Sequence, residues 1–154
     1  MEQVKAAEHG NVAQLEKSYK AIPLEERLDM ALAENLREDF RPFMVREQWM
    51  VVKCYFARRA DLSQEEAKAL LHDQDHVIRM CIAKRPDLTE EMVALCVADR
   101  NPNVRHAISR NPCLSAEQRS QLMQDEDPLV SRAAAKGPRE VEYRQRPGQA
   151  LVIR

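Results

Sequence analysis

Three segments of this chain align with one another without a gap: LSQEEAKALLHDQDHVIRMCIAKRPD (62–87), LTEEMVALCVADRNPNVRHAISRNPC (88–113) and LSAEQRSQLMQDEDPLVSRAAAKGPR (114–139), each 26 residues long. Leu62, Leu88 and Leu114 correspond, as do Ser63, Thr89 and Ser115; Asp73, Asp99 and Asp125; Ile78, Val104 and Val130; and Pro86, Pro112 and Pro138. Self-similarity at a fixed spacing means one small structural unit copied several times. A unit this short cannot bury its apolar face alone, so its copies must cover one another.

Each copy reads as two short helices, A and B. Ser63 with Glu66, and Ser115 with Gln118, have the spacing of a capping box opening helix A; Thr89 caps without a return partner. Asp75, Asn101 and Asp127 are placed to cap helix B, and Pro102 and Pro128 then occupy its first turn, where the missing N–H costs nothing. Helix B carries apolar residues at i, i+3 and i+4: Ile78, Cys81, Ile82; Val104, Ala107, Ile108; Val130, Ala133, Ala134. It ends on a base followed within two residues by proline. A worn copy precedes these, LREDFRPFMVREQWMVVKCYFARRAD (36–61), where Pro42 makes the first helix start late or kink. The expected organisation is a helical cap over 1–35, four units (36–61, 62–87, 88–113, 114–138) and a tail over 139–154. Within the cap, 1–19 and 23–40 read as two longer helices. The tail, with four arginines, two prolines and two glycines over 137–154, is ordered only if it docks on the last unit or on a partner. The predicted fold is all-α, a short right-handed solenoid of helix pairs.

Composition removes whole function classes. Only three glycines occur, Gly10, Gly137 and Gly148, too scattered for a dinucleotide fingerprint, a phosphate-cradling loop or a nucleophile elbow. No apolar run nears the roughly 18 residues of a membrane span. MEQVKAAEHGNVAQ has no apolar signal-like core, so a cytoplasmic protein is expected. Cys54, Cys81, Cys96 and Cys113 lack CxxC spacing and read as reduced thiols. The net charge of −1 supplies no bulk field for nucleic acid, so local patches must carry any such role.

The pattern D-x-D/N-P-x-V-R, then an apolar position, Ala or Ser, and N/K-P-x-L, clearest in DRNPNVRHAISRNPCLS (99–115), resembles the leucine-rich-repeat-variant group of bacterial α-solenoids, which is close in style to HEAT repeats. The resemblance is good over 62–138 and weak over 36–61. It implies short paired helices, some 3-10-like, in a curved right-handed stack. AAEHGNVAQLEK (6–17) and WMVVKCYFARRADLS (49–63) instead look ankyrin-like. One member of the variant group carries an iron–sulfur cluster in a cysteine-rich N-terminal segment. This chain has no cysteine before Cys54, so that feature does not carry over and no cofactor is expected.

Recurring cations are the main candidate site. Arg58, Lys84, Arg110 and Lys136 recur at the end of helix B, and Arg85 follows Lys84 as Arg59 follows Arg58. Lys53, Arg79 and Arg105 form a second column, with Arg132 one position out of line. Two readings compete: a surface for an anionic partner, or cations that offset helix dipoles and pair with Asp73, Asp99 and Asp125 of neighbouring copies. The acidic run Asp73, Asp75, Asp99, Asp125, Glu126 and Asp127 could hold metal or perform acid–base chemistry, but its place before helix B favours capping. His72 and His76 straddle a turn and no third metal ligand is indicated. Cys81 and Cys96 fall at core positions, and Cys113 lies in a connecting loop without an activating base. Phe40, Phe43, Trp49, Tyr55 and Phe56 read as core filling at the join between dissimilar helices, with Trp49 the one partly exposed.

The expected role is non-enzymatic protein recognition, of adaptor, inhibitor or immunity type. The expected contacts are Arg58, Arg79, Met80, Lys84, Arg85, Arg105, His106, Arg110, Arg132 and Lys136, on the helix-B face and its basic stripe. The expected partner is another protein, acidic in character; neither membrane nor small-molecule substrate is indicated. The alternative is nucleic-acid backbone bound by the same stripe. Base-excision chemistry, seen in some longer HEAT-like solenoids, would need an aromatic and acidic pocket that these helices lack.

Overall fold

A computed structural model describes the backbone from Glu2 to Arg154 and side chains from Gly10 onward. The first residues of the ankyrin-like stretch 6–17 therefore lie outside the described side chains. The described chain is all-helical apart from two short strands: α1 (Glu2–Ala21), α2 (Leu24–Leu32), a 3-10 turn (Glu38–Phe40), α3 (Arg41–Val45), α4 (Met50–Ala57), α5 (Gln64–Leu71), α6 (His76–Ala83), α7 (Glu90–Val97), α8 (Pro102–Ser109), α9 (Ala116–Leu122), α10 (Pro128–Ala135), β1 (Tyr143–Arg144) and β2 (Val152–Ile153).

Local chemistry accounts for the helix ends. Ser63 and Ser115 form complete capping boxes with Glu66 and Gln118. Thr89 accepts from the Met92 N–H. Asp75, Asn101 and Asp127 accept from N–H groups in the first turns of α6, α8 and α10. Proline at position 42 splits its segment into the 3-10 turn and the five-residue α3. The second N-terminal helix ends earlier than the pattern over 23–40 suggests. It stops at Leu32, Ala33 turns extended (ψ 137°), and the Arg59 guanidinium takes the Ala31 and Ala33 carbonyls that a continuing helix would have used.

Helices α2, α4, α6, α8 and α10 pack in that order, each against the next, and α3, α5, α7 and α9 each lie against the helix that follows. Several sets of residues 26 apart share their burial, though Leu71 and Val97 are buried where Met123 is exposed. Val52, Ile78, Val104 and Val130 are fully enclosed, as are Phe56, Ile82, Ile108 and Ala134. Leu36, Leu62, Leu88 and Leu114 are all buried. Burying a side chain of this size stabilises by roughly 1.5–3 kcal/mol, and one cluster links Tyr19 in α1 to Ala134 in α10.

Residues 139–154 are ordered and double back. Gly137, at φ 80°, lets the chain leave α10. Strand β1 pairs antiparallel with β2, and a turn from Arg146 to Gln149 reverses the chain, with Pro147 second and Gly148 third at φ 74°, the type II pattern. The returning strand bonds by its backbone to the ends of the even-numbered helices: Ala150 N–H to the Leu32 carbonyl, Ala60 N–H to the Leu151 carbonyl, Ile153 N–H to the Arg58 carbonyl. Ala150, Val152 and Ile153 are buried. The segment docks, and chiefly on the ends of α2 and α4, with one backbone bond from Arg139 to the Arg110 carbonyl. No helix among the described residues is long and apolar enough to cross a membrane.

Candidate anion-binding groove

The recurring cations divide into three sets. The first is a ladder. Arg79 Nε and Nη2 bind the Asp99 carboxylate at 2.7 and 3.0 Å, and Arg105 binds Asp125 likewise at 2.8 and 3.1 Å. Lys53 meets Asp73 at 2.6 Å and Arg27 meets Glu47 at 3.0 Å. Each pair spans 20 residues and crosses from one helix pair to the next. Each carboxylate also accepts from the N–H two residues on, at Trp49, Asp75, Asn101 and Asp127. Arg79 and Arg105 use their remaining Nη1 on the carbonyls of Asp73 and Asp99. The Arg105 hydrogen bond holds the Asp125 carboxyl below its ordinary value. Burial pushes Asp99 up, but Arg79 and the Asn101 N–H together outweigh it and hold that carboxyl low as well.

The second set replaces side chains for missing backbone partners. Arg85, 1% exposed, donates to the carbonyls of Arg59 and Ala60 and to Asp87. Arg59 does the same at Ala31, Ala33 and Asp61. Asn111, 26 residues after Arg85, bridges the Ala83 and Arg85 carbonyls with one amide nitrogen and accepts from the Cys113 N–H. The guanidinium groups of Arg79, Arg85 and Arg105, all in the expected contact set, are thus committed to interactions within the fold.

The third set faces outward. Arg58, Lys84 and Arg110, with Arg139 and Arg154 from the doubled-back segment, line a groove of about 390 Å³ between that segment and the ends of α4, α6 and α8. Five cations face two carboxylates there, Glu140 and Glu142, and Glu142 is already paired with Arg139. Arg58 donates to the Ile153 carbonyl. Lys84 and Arg110 have no ion pair among the described residues, and Arg110 Nε is shut off from solvent with no acceptor. Leaving a charged donor unsatisfied costs about 1–3 kcal/mol or more. A smaller depression of about 250 Å³ continues past Arg110 along α8 and α10, lined by His106, Leu129, Arg132 and Lys136. Arg132 is exposed and donates Nε to the Pro128 carbonyl, Lys136 is exposed, and Met80 is half-buried against the core.

The sequence reading missed Arg27 and Glu47, although both fall on the 26-residue spacing of the ladder, and it missed Arg139 and Arg154, which only the arginine content of the tail hinted at. Trp49 is exposed and Phe40, Phe43 and Phe56 are buried. His72 is exposed and His76 lies 3.9 Å from the Asp75 carboxylate. Among the described residues no three His, Cys, Asp or Glu side chains converge to hold a metal. No family model, curated protein or solved structure matches the chain.

Proposed function

We propose that this chain is a short right-handed solenoid of the leucine-rich-variant or HEAT-like kind, working in the cytoplasm as a non-enzymatic module that binds an acidic segment of another protein. The observation that carries the reading is the outward stripe: Lys84 and Arg110 line the groove and, among the described residues, pair with no acid. The ladder cations each have a carboxylate; the stripe has room for one supplied from outside. The pre-formed groove costs the complex little ordering entropy. Carboxylate oxygens on a protein segment can bind the guanidinium groups of Arg58 and Arg110 in the two-pronged geometry that arginine favours. Leu129, 61% exposed, adds an apolar contact beside the stripe. A protein fits better than nucleic acid because the net charge of −1 supplies no bulk field for a phosphate backbone.

The test is fluorescence anisotropy with a labelled aspartate- and glutamate-rich peptide, beside a random DNA duplex of equal charge. The peptide should bind at low salt. Reversing Lys84, Arg110 and Lys136 to Glu should weaken it at least tenfold, about 1.4 kcal/mol, without changing the circular dichroism spectrum. Duplex binding with a steep salt dependence and no peptide binding would replace this reading by the nucleic-acid one. Equal peptide binding by the reversed variant would overturn the stripe as the binding face.

A further inference from the structure

Two thiols meet across the α4–α6 contact. Cys54 Sγ lies 3.7 Å from Cys81 Sγ, so the two sulfur atoms are in direct contact. The residues are 27 apart, one more than the repeat, so they occupy different positions of the unit. Cys54 matches Met80, His106 and Arg132, on the outer face, and is half-buried. Cys81 matches Ala107 and Ala133, and is itself buried. One thiol can therefore meet a small reagent while the other waits beneath it. Arg58 follows Cys54 by one helical turn and Lys84 follows Cys81 by three residues, so both helices bring a cation to the pair. The hydrogen bond from Cys81, then the charges of Arg58 and Lys84, draw the Cys54 thiol down to about 7 against burial and Asp75. That cysteine's hydrogen bond and burial push the Cys81 thiol up. The other two cysteines lack this arrangement: Cys96 is enclosed and pushed up by burial to about 12, and Cys113 donates to the Pro86 carbonyl.

We infer that Cys54 and Cys81 form an oxidant-responsive dithiol, in which Cys54 reacts with a small hydroperoxide and Cys81 resolves the product to an intramolecular disulfide joining α4 to α6. The Cys54 thiolate attacks one peroxide oxygen, the O–O bond breaks, and the other oxygen leaves as alkoxide or hydroxide and takes a proton. Cys54 is oxidised to a sulfenic acid while the peroxide is reduced. The Cys81 sulfur then attacks the Cys54 sulfur. The S–O bond breaks, the S–S bond forms, and the hydroxide departs as water with the Cys81 proton. Two thiols and one hydroperoxide thus give one disulfide, one alcohol or water, and one water. Bond formation requires the sulfur gap to close from 3.7 Å to about 2.05 Å. The inference stands whether or not the groove binds an acidic partner.

Hydrogen peroxide added to the whole reduced protein tests it. Free thiols counted after denaturation should fall from the four of the sequence to two, no disulfide should link one chain to another, and digestion should yield a linked Cys54–Cys81 peptide. Cys81→Ala places at this position the residue that the unit carries at Ala107 and Ala133, and so should fold. In it the Cys54 sulfenic acid should persist long enough for dimedone to trap it, and the pH at which Cys54 is half-maximally alkylated should rise. Cys54→Ser should slow peroxide-driven thiol loss at least tenfold. Unlinked Cys54 and Cys81 beside intermolecular dimers through Cys113 would overturn the inference, as would thiol loss in Cys54→Ser at the wild-type rate.

Discussion

The ladder and the stripe are both rows of cations repeated every 26 residues, yet they do opposite things. In the ladder, Arg27, Lys53, Arg79 and Arg105 each meet a carboxylate 20 residues further along. In the stripe, Lys84 and Arg110 meet none among the described residues. Recurrence alone shows that a position matters to the unit. Whether it matters to the fold or to a partner is decided by the presence of a complementary group at a second fixed offset. The buried arginines of the second set support this: Arg85 neighbours Lys84 in sequence but points inward, where it closes two backbone carbonyls.

The contrast is broken most sharply by removing one side of a ladder rung. Asp99→Ala leaves the Arg79 guanidinium buried beside an empty site and removes the cap on the Asn101 N–H. The expected loss is about 3–5 kcal/mol in urea unfolding, and a loss under about 1 kcal/mol would contradict the load assigned to the rung. Asn111→Ala strands two buried carbonyls and the Cys113 N–H, and should cost about 1–3 kcal/mol by the same measurement. Asp127→Ala removes only the cap of α10, with an expected cost of about 1 kcal/mol. Lys84→Ala or Lys136→Ala should change stability by no more than about 0.3–1 kcal/mol, the helix-dipole contribution; a larger loss would make the stripe structural.

Acid sharpens the same comparison. The Asp99 and Asp125 carboxyls lie below their ordinary value of 3.8 in the folded chain. A depressed carboxylate contributes stability fully above its unfolded value and loses it as pH falls through the folded one. Thermal unfolding should therefore weaken below about pH 4 in the wild type, and less steeply in an Asp99→Asn, Asp125→Asn variant. An unchanged acid limb in that variant would show that the ladder does not govern it.

The helix pairs were legible because their caps and apolar spacings are local: Ser63 and Glu66, or Asp127 and the first turn of α10, interact within a few residues. The first rung was harder to see. Glu47 replaces the aspartate of later copies and Arg27 lies in a stretch with no other mark of the unit, so only the pair of offsets could have revealed it. The early end of α2 and the course of residues 139–154 depend on backbone bonds between distant segments, such as Ala150 to Leu32, which leave little trace in side-chain pattern. The groove shares that difficulty, since its far wall is Arg139 to Glu142 and Arg154.

A row of helices in which each touches only its neighbours can melt from either end, one unit at a time. Here the segment from Ala150 to Ile153 fastens residues near the finish of the chain to Leu32, Arg58 and Ala60 near its start. Fraying at one extremity then strips bonds from the other, so the molecule should come apart in a single step. Clipping the chain after Gly137 would split that event into a graded one, with α2 and α4 exchanging their amide hydrogens ahead of α6 and α8.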